Sequence, residues 1–163
     1  MKRAILTFLL ALLCLAVGAT QQINDKVTVN GEVWEMPTSP LGYLQPQLQE
    51  AFSDLLDERN FVNTSNYRGY VAYWYISRGR LYLDRVEVPQ QNGKYKALDN
   101  KDLKKVFRKY RRFGKIKAGW VTGEINIGRG IGERDQERLF IPGFAEKKTL
   151  VIKKGRIIPG LMQ

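Results

Sequence analysis

The sequence predicts an α+β domain: an antiparallel β-sheet, strongly bent or doubled on itself, with two packed helices. Three observations predict it. The centre of the chain reads as a hairpin of aromatic and branched residues, and the last third returns to short strands punctuated by glycine. Only two stretches carry a helical apolar period, and they do not alternate regularly with the strands, which disfavours a doubly wound parallel sheet.

The first element is a leader. Lys2 and Arg3 precede a run from Ala4 to Val17 in which Thr7 is the one polar residue, and Val17-Gly18-Ala19 supplies the small residues of a cleavage site. Residues 1–19 are therefore read as a signal peptide and 20–163 as one α+β domain, exported to the periplasm or the cell exterior. The run falls short of the roughly 20 residues of a membrane span, so none is expected after cleavage. Cys14, the one cysteine, lies inside the leader behind Leu13 rather than behind the small residue that lipoprotein processing requires.

The mature chain thus has no thiol, and the sequence contains no histidine. Disulfides, thiolate or imidazole nucleophiles, serine–histidine relays and the usual zinc and haem ligand sets all drop out, and no cofactor or metal is expected. Carboxylate, lysine and tyrosine chemistry remains. Removing Lys2 and Arg3 leaves 25 basic against 16 acidic residues, a formal charge of +9 that favours an anionic partner. Outside the cytoplasm that means an acidic protein or an anionic envelope component. Nucleic acid enters only for a released protein or one that meets imported DNA.

Lys26 to Trp34 reads as strand material folded at the turn pair Asn30-Gly31. Pro37, Pro40 and Gly42 break regular structure, and Pro46 opens a helix running to Arg59. Leu48, Ala51, Phe52, Leu55 and Leu56 form its core stripe. Tyr70 to Ile76 and Leu81 to Val88 form a hairpin about Ser77-Arg78-Gly79-Arg80, whose aromatics on both faces imply cover from helices and a neighbouring sheet.

Asn100 to Phe113 reads as a strongly basic amphipathic helix capped by Asn100. Leu103, Val106, Phe107 and Tyr110 lie on one side, and Lys101, Lys104, Lys105, Arg108, Lys109, Arg111 and Arg112 on the other. With Lys115 and Lys117 it is the candidate binding surface, better suited to phosphate or partner contact than to membrane insertion. The ordinary alternative is a solvated outer face. Strands are then expected over 115–120, 123–127, 139–141 and 149–152, the last joined through Lys154-Gly155 to Ile157-Ile158. Gly128, Gly130 and Gly132 spell G-x-G-x-G, which lacks the spacing of a dinucleotide fingerprint and reads as a loop.

Gly69-Tyr70-Val71-Ala72-Tyr73-Trp74-Tyr75-Ile76, Gly79-Arg80-Leu81-Tyr82-Leu83 and Ala118-Gly119-Trp120-Val121-Thr122-Gly123-Glu124, with the late Lys154-Gly155, resemble an uncharacterised family of small bacterial proteins sharing a G-Y-x-A-x-W-x-I…G-x-L-Y-L…A-x-W-x-T-G-E pattern. The likeness runs from Tyr67 to Ile158 and implies a compact domain with a binding rather than a catalytic role. The basic charge between Leu103 and Lys117 departs from that pattern. Trp74 and Trp120 read as core anchors, and Gly79, Gly123 and Gly155 as turn or bulge positions.

Non-catalytic binding, with the basic helix on an acidic protein or envelope polyanion, is the function this sequence favours, and no catalytic residue is assigned. The alternative is a carboxylate-dependent hydrolase of envelope glycan, drawing on Asp84, Glu87 and Glu124. A purely structural envelope component is the third reading.

Overall fold

Four two-residue turns shape the sheet, each pairing a residue of positive φ with a glycine of positive φ: Asn30-Gly31, Arg78-Gly79, Phe113-Gly114 and Lys154-Gly155. Such turns match the right-handed twist of flanking strands, so each closes a tight hairpin. The computed structural model describes residues 22–57, 65–132 and 143–159. The predicted leader and the expected strand at 139–141 lie outside them.

Among the described residues ten strands form: β1 (Asp25–Val29), β2 (Glu32–Met36), β3 (Val71–Ser77), β4 (Arg80–Pro89), β5 (Tyr95–Ala97), β6 (Arg111–Arg112), β7 (Lys115–Lys117), β8 (Gly123–Arg129), β9 (Glu146–Lys153) and β10 (Arg156–Ile157). Helix α1 spans Pro46–Asp57 and α2 spans Asn100–Val106. The order β10-β9-β8-β2-β1-β3-β4 closes on itself, because β10 also pairs with β4. The result is a seven-stranded barrel with three extra strands, and β1 and β3 run parallel within it.

This corrects the expected bent or doubled sheet with two packed helices. A bent sheet would leave the outer edge of β4 free, whereas here Leu81 N donates to Gly155 O at 3.0 Å and Ile157 N to Gly79 O at 2.9 Å. Through the short β10, closure joins the start of β4 to the end of β9. The far edge of β4 is shared in succession by β10 at Arg80, β7 at Tyr82 and Leu83, and β5 at Glu87 to Pro89.

The interior follows from strand alternation. Val27, Trp34, Met36, Trp74, Leu81, Leu83, Ile125, Ile127, Leu150 and Ile152 point inward and are buried. The helices stop one end of this core instead of layering against a sheet face. Phe52 of α1 meets Tyr70 edge-on at 5.4 Å and Phe107 at 5.9 Å, and Phe107 stacks on Trp120 at 5.1 Å. Tyr70 and Trp120 stand beside the first residues of β3 and β8, so the contacts lie at strand ends.

The expected helix over 100–113 is also shorter than its period suggested. Asp99, not Asn100, caps it, accepting from Lys101 N at 2.7 Å. After Val106 the chain tightens into a 3₁₀ turn over Arg108–Tyr110 and then enters β6. The turn at Phe113-Gly114, where Phe113 takes φ 48°, then joins β6 to β7. Leu103 and Phe107 still reach the core as the stripe required.

The G-x-G-x-G run is a packing device. A Cβ on Gly128 would fall 2.1 Å from the Phe144 ring, and one on Gly132 would fall 2.5 Å from the Phe144 carbonyl carbon. Gly132 N donates to Gly143 O at 2.9 Å. Glycine is required there for chain–chain approach rather than for phosphate.

Candidate anion-binding surface

The predicted basic residues do not share one helix face. Lys104 and Lys105 lie on α2, Arg108 and Lys109 on the 3₁₀ turn, Arg111 and Arg112 on β6, and Lys115 and Lys117 on β7. Lys104 and Lys117 are half-buried and the other six are exposed. Among the described residues, none of the eight is ion-paired with a carboxylate. They are spread along an arm, residues 100–117, that follows β5 and joins the barrel where β7 pairs with β4.

Where that arm rejoins, it extends a wall of aromatics and cations. Tyr73, Tyr75 and Tyr82 face outward and remain half-buried, so the expected cover from helices and a second sheet is absent from this wall. Tyr75 and Tyr82 are direct cross-strand partners stacked at 5.1 Å and 14°. Lys115 Nζ lies 5.7 Å from one ring centroid and 5.8 Å from the other. Arg85 covers Tyr73 at 3.6 Å and is held by Asp84 at 3.0 Å and Glu87 at 2.7 Å. A bulge supplies this cluster, because Tyr73 pairs with Arg85 and Trp74 with Leu83, which leaves Asp84 as the extra residue. Beside it runs a shallow groove of about 330 Å³, lined in part by Lys26, Val33, Tyr73 and Arg85.

The three carboxylates considered for hydrolysis are not brought to one place. Asp84 and Glu87 bind Arg85 on the outside of β4, while Glu124 is exposed on β8, which β9 and β10 separate from β4. Among the described residues, no group of three potential metal-ligating side chains forms, and no helix is long and apolar enough to cross a membrane.

Trp74 and Trp120 are anchors, with their indole N–H groups satisfied by Asp25 at 3.2 Å and by the Pro40 carbonyl at 2.9 Å. Asp25 escaped the sequence reading. It is fully buried, yet Ser39 Oγ (2.6 Å), Ala72 N (3.1 Å) and Trp74 Nε1 (3.2 Å) donate to it, and Arg68 Nη2 lies 3.5 Å away. Tyr70 Oη lies 3.3 Å from Ser39 Oγ and completes the cluster. Burial pushes the Asp25 carboxyl above its ordinary value, against the opposing pull of Arg68, Ser39, Ala72 and Trp74. The signal was available, since Asp25 shares the inward register of Val27. At the other end of the barrel Arg129 and Lys148 each lie 4.6 Å from the Trp34 ring centroid, and Arg129 is tied to Glu32 and Glu146. Both networks are compensated in part by carboxylates, whereas the eight cations of the basic arm have no carboxylate partner among the described residues.

Comparison of the chain with family models, with curated proteins and with solved structures finds no match in any of the three.

Proposed function

We propose that this chain is an exported, non-catalytic binding protein of the periplasm or cell exterior whose basic arm contacts an acidic protein or an envelope polyanion. The leader-like residues 1–19 support export. The observation that carries the binding reading is the run Lys104 to Lys117, in which eight basic side chains stand on one excursion from the barrel without a carboxylate partner among the described residues. By contrast Arg129 and Arg85 are each compensated by two carboxylates. Uncompensated cations on a formed surface attract a polyanion by releasing its counterions, which gives binding a steep salt dependence.

The test is retention on the producing cell's envelope and secreted fractions, read as the salt concentration that releases the protein. A variant with Lys104, Lys105, Arg108 and Arg112 changed to Gln should elute at distinctly lower salt than the wild type. Equal elution of the two proteins would count against the arm as the contact site.

A further inference from the structure

The line where the barrel closes carries like charges in direct opposition. Arg80 of β4 stands across from Arg156 of β10, and Arg156 stands across from Lys153 of β9. Their neighbours Leu81, Ile157 and Ile152 are buried, so alternation turns all three basic side chains to the outer wall. Two residues along β4, Tyr82 stands across from Lys117, and Arg112 follows on β6. Partial burial, and then the charges of Arg80, Arg156 and Arg112, hold the Lys117 ammonium below the ordinary lysine range. Among the described residues, none of these five cations is paired with a carboxylate. Like charges directly opposite in a sheet destabilise it, and here they sit on the closure itself.

We propose that the row Arg80, Arg156 and Lys153, flanked by Lys117 and Arg112, binds a doubly charged tetrahedral oxyanion, a phosphate or sulfate group, and that the bound group ties the closing strands together. Two neighbouring guanidinium groups offer forked donors matched to such an oxyanion, and a single carboxylate would offset less of the repulsion. This deepens the polyanion reading by naming the group recognised, and it rests on that reading only for the polymer that carries the group.

The experiment is thermal unfolding of the purified protein near neutral pH at constant ionic strength, with inorganic phosphate replacing chloride in one arm and long-chain polyphosphate or a sulfated polysaccharide added in others. Inorganic phosphate should raise the wild-type Tm saturably. R80Q/R156Q should weaken the apparent affinity by about tenfold or more, the scale of losing strong charge-assisted contacts. In chloride alone that variant should be at least as stable as the wild type, because it loses repulsion and no ion pair. An equal response of both proteins to phosphate overturns the proposal. So does stabilisation by the polymers without any by inorganic phosphate, a result that leaves the polyanion reading standing. Saturable phosphate binding combined with failure of envelope retention sinks that broader reading and leaves this site. Should R80Q/R156Q fail to fold, K117Q/K153Q carries the same comparison.

Discussion

Asp25→Asn tests whether the buried cluster at the mouth of the barrel is organised around an acid. One carboxylate oxygen accepts from Ala72 N and faces Arg68, and the other accepts from Ser39 Oγ and Trp74 Nε1. The Ala72 and Trp74 groups can only donate, so either orientation of an asparagine amide turns its NH₂ toward one of them. The variant loses one hydrogen bond to a charged group, about 1.5–3 kcal/mol, and leaves a buried donor unpaired, about 1–3 kcal/mol. A loss of about 3 kcal/mol or more follows, measured by urea unfolding. At roughly 3 °C per kcal/mol for a chain of this length, Tm falls by about 10 °C.

The pH dependence supplies an independent check. Because burial raises the Asp25 pKa in the folded state, its contribution to stability is fully present below the ordinary carboxylate value and is lost as pH rises through the folded pKa. The gap between wild type and D25N should therefore widen on acidification from neutral toward pH of about 4. A variant within about 1 kcal/mol of wild type at neutral pH, a net loss smaller than one charged hydrogen bond supplies, or a gap that narrows on acidification, would refute this account of the cluster.

Two comparisons extend the same reasoning. Trp74→Phe should cost about 2 kcal/mol more than Trp34→Phe in denaturant unfolding, since both rings are buried but Trp74 Nε1 serves Asp25 whereas Trp34 Nε1 has no hydrogen-bond partner among the described residues. Equal losses would separate the indole N–H from the stability of the cluster. Gly155→Ala and Gly79→Ala both place a side chain at positive φ, at a cost of roughly 1–2 kcal/mol each. Only at Gly155 does the new Cβ meet backbone, 2.6 Å from Ala118 O, so its unfolding midpoint should fall well below that of the Gly79 variant. Matching midpoints would show that the seam yields without cost.

Local pattern made the β3–β4 hairpin and α1 legible, because alternation over 70–88 and the stripe from Leu48 to Leu56 are set by neighbours a few residues apart. Closure was not legible, since it depends on Arg156 meeting Arg80 across a long separation with no motif to announce it. The basic helix is shorter than its spacing predicts for a related reason. Leu103, Val106, Phe107 and Tyr110 keep a helical spacing, but a 3₁₀ turn presents the last of them equally well. Phe113 in a left-handed turn position is an unusual choice that propensity does not foresee. The basic residues themselves were identified from charge, while their distribution over four elements and their continuation into Arg80, Lys153 and Arg156 required the register.

The division of β4's far edge among three partners has a consequence for the order of folding. β5 and β7 follow β4 closely along the chain, but its first residues wait for β10, the last strand among those described. Closing so long a loop is slow relative to forming hairpins, so the pairing of β10 with Arg80 is expected to follow that of the hairpins. During that interval the waiting segment is short and begins with an arginine, the kind of edge on which a stray strand finds little purchase. The cations that later confront one another across the seam thus first guard the unfinished sheet.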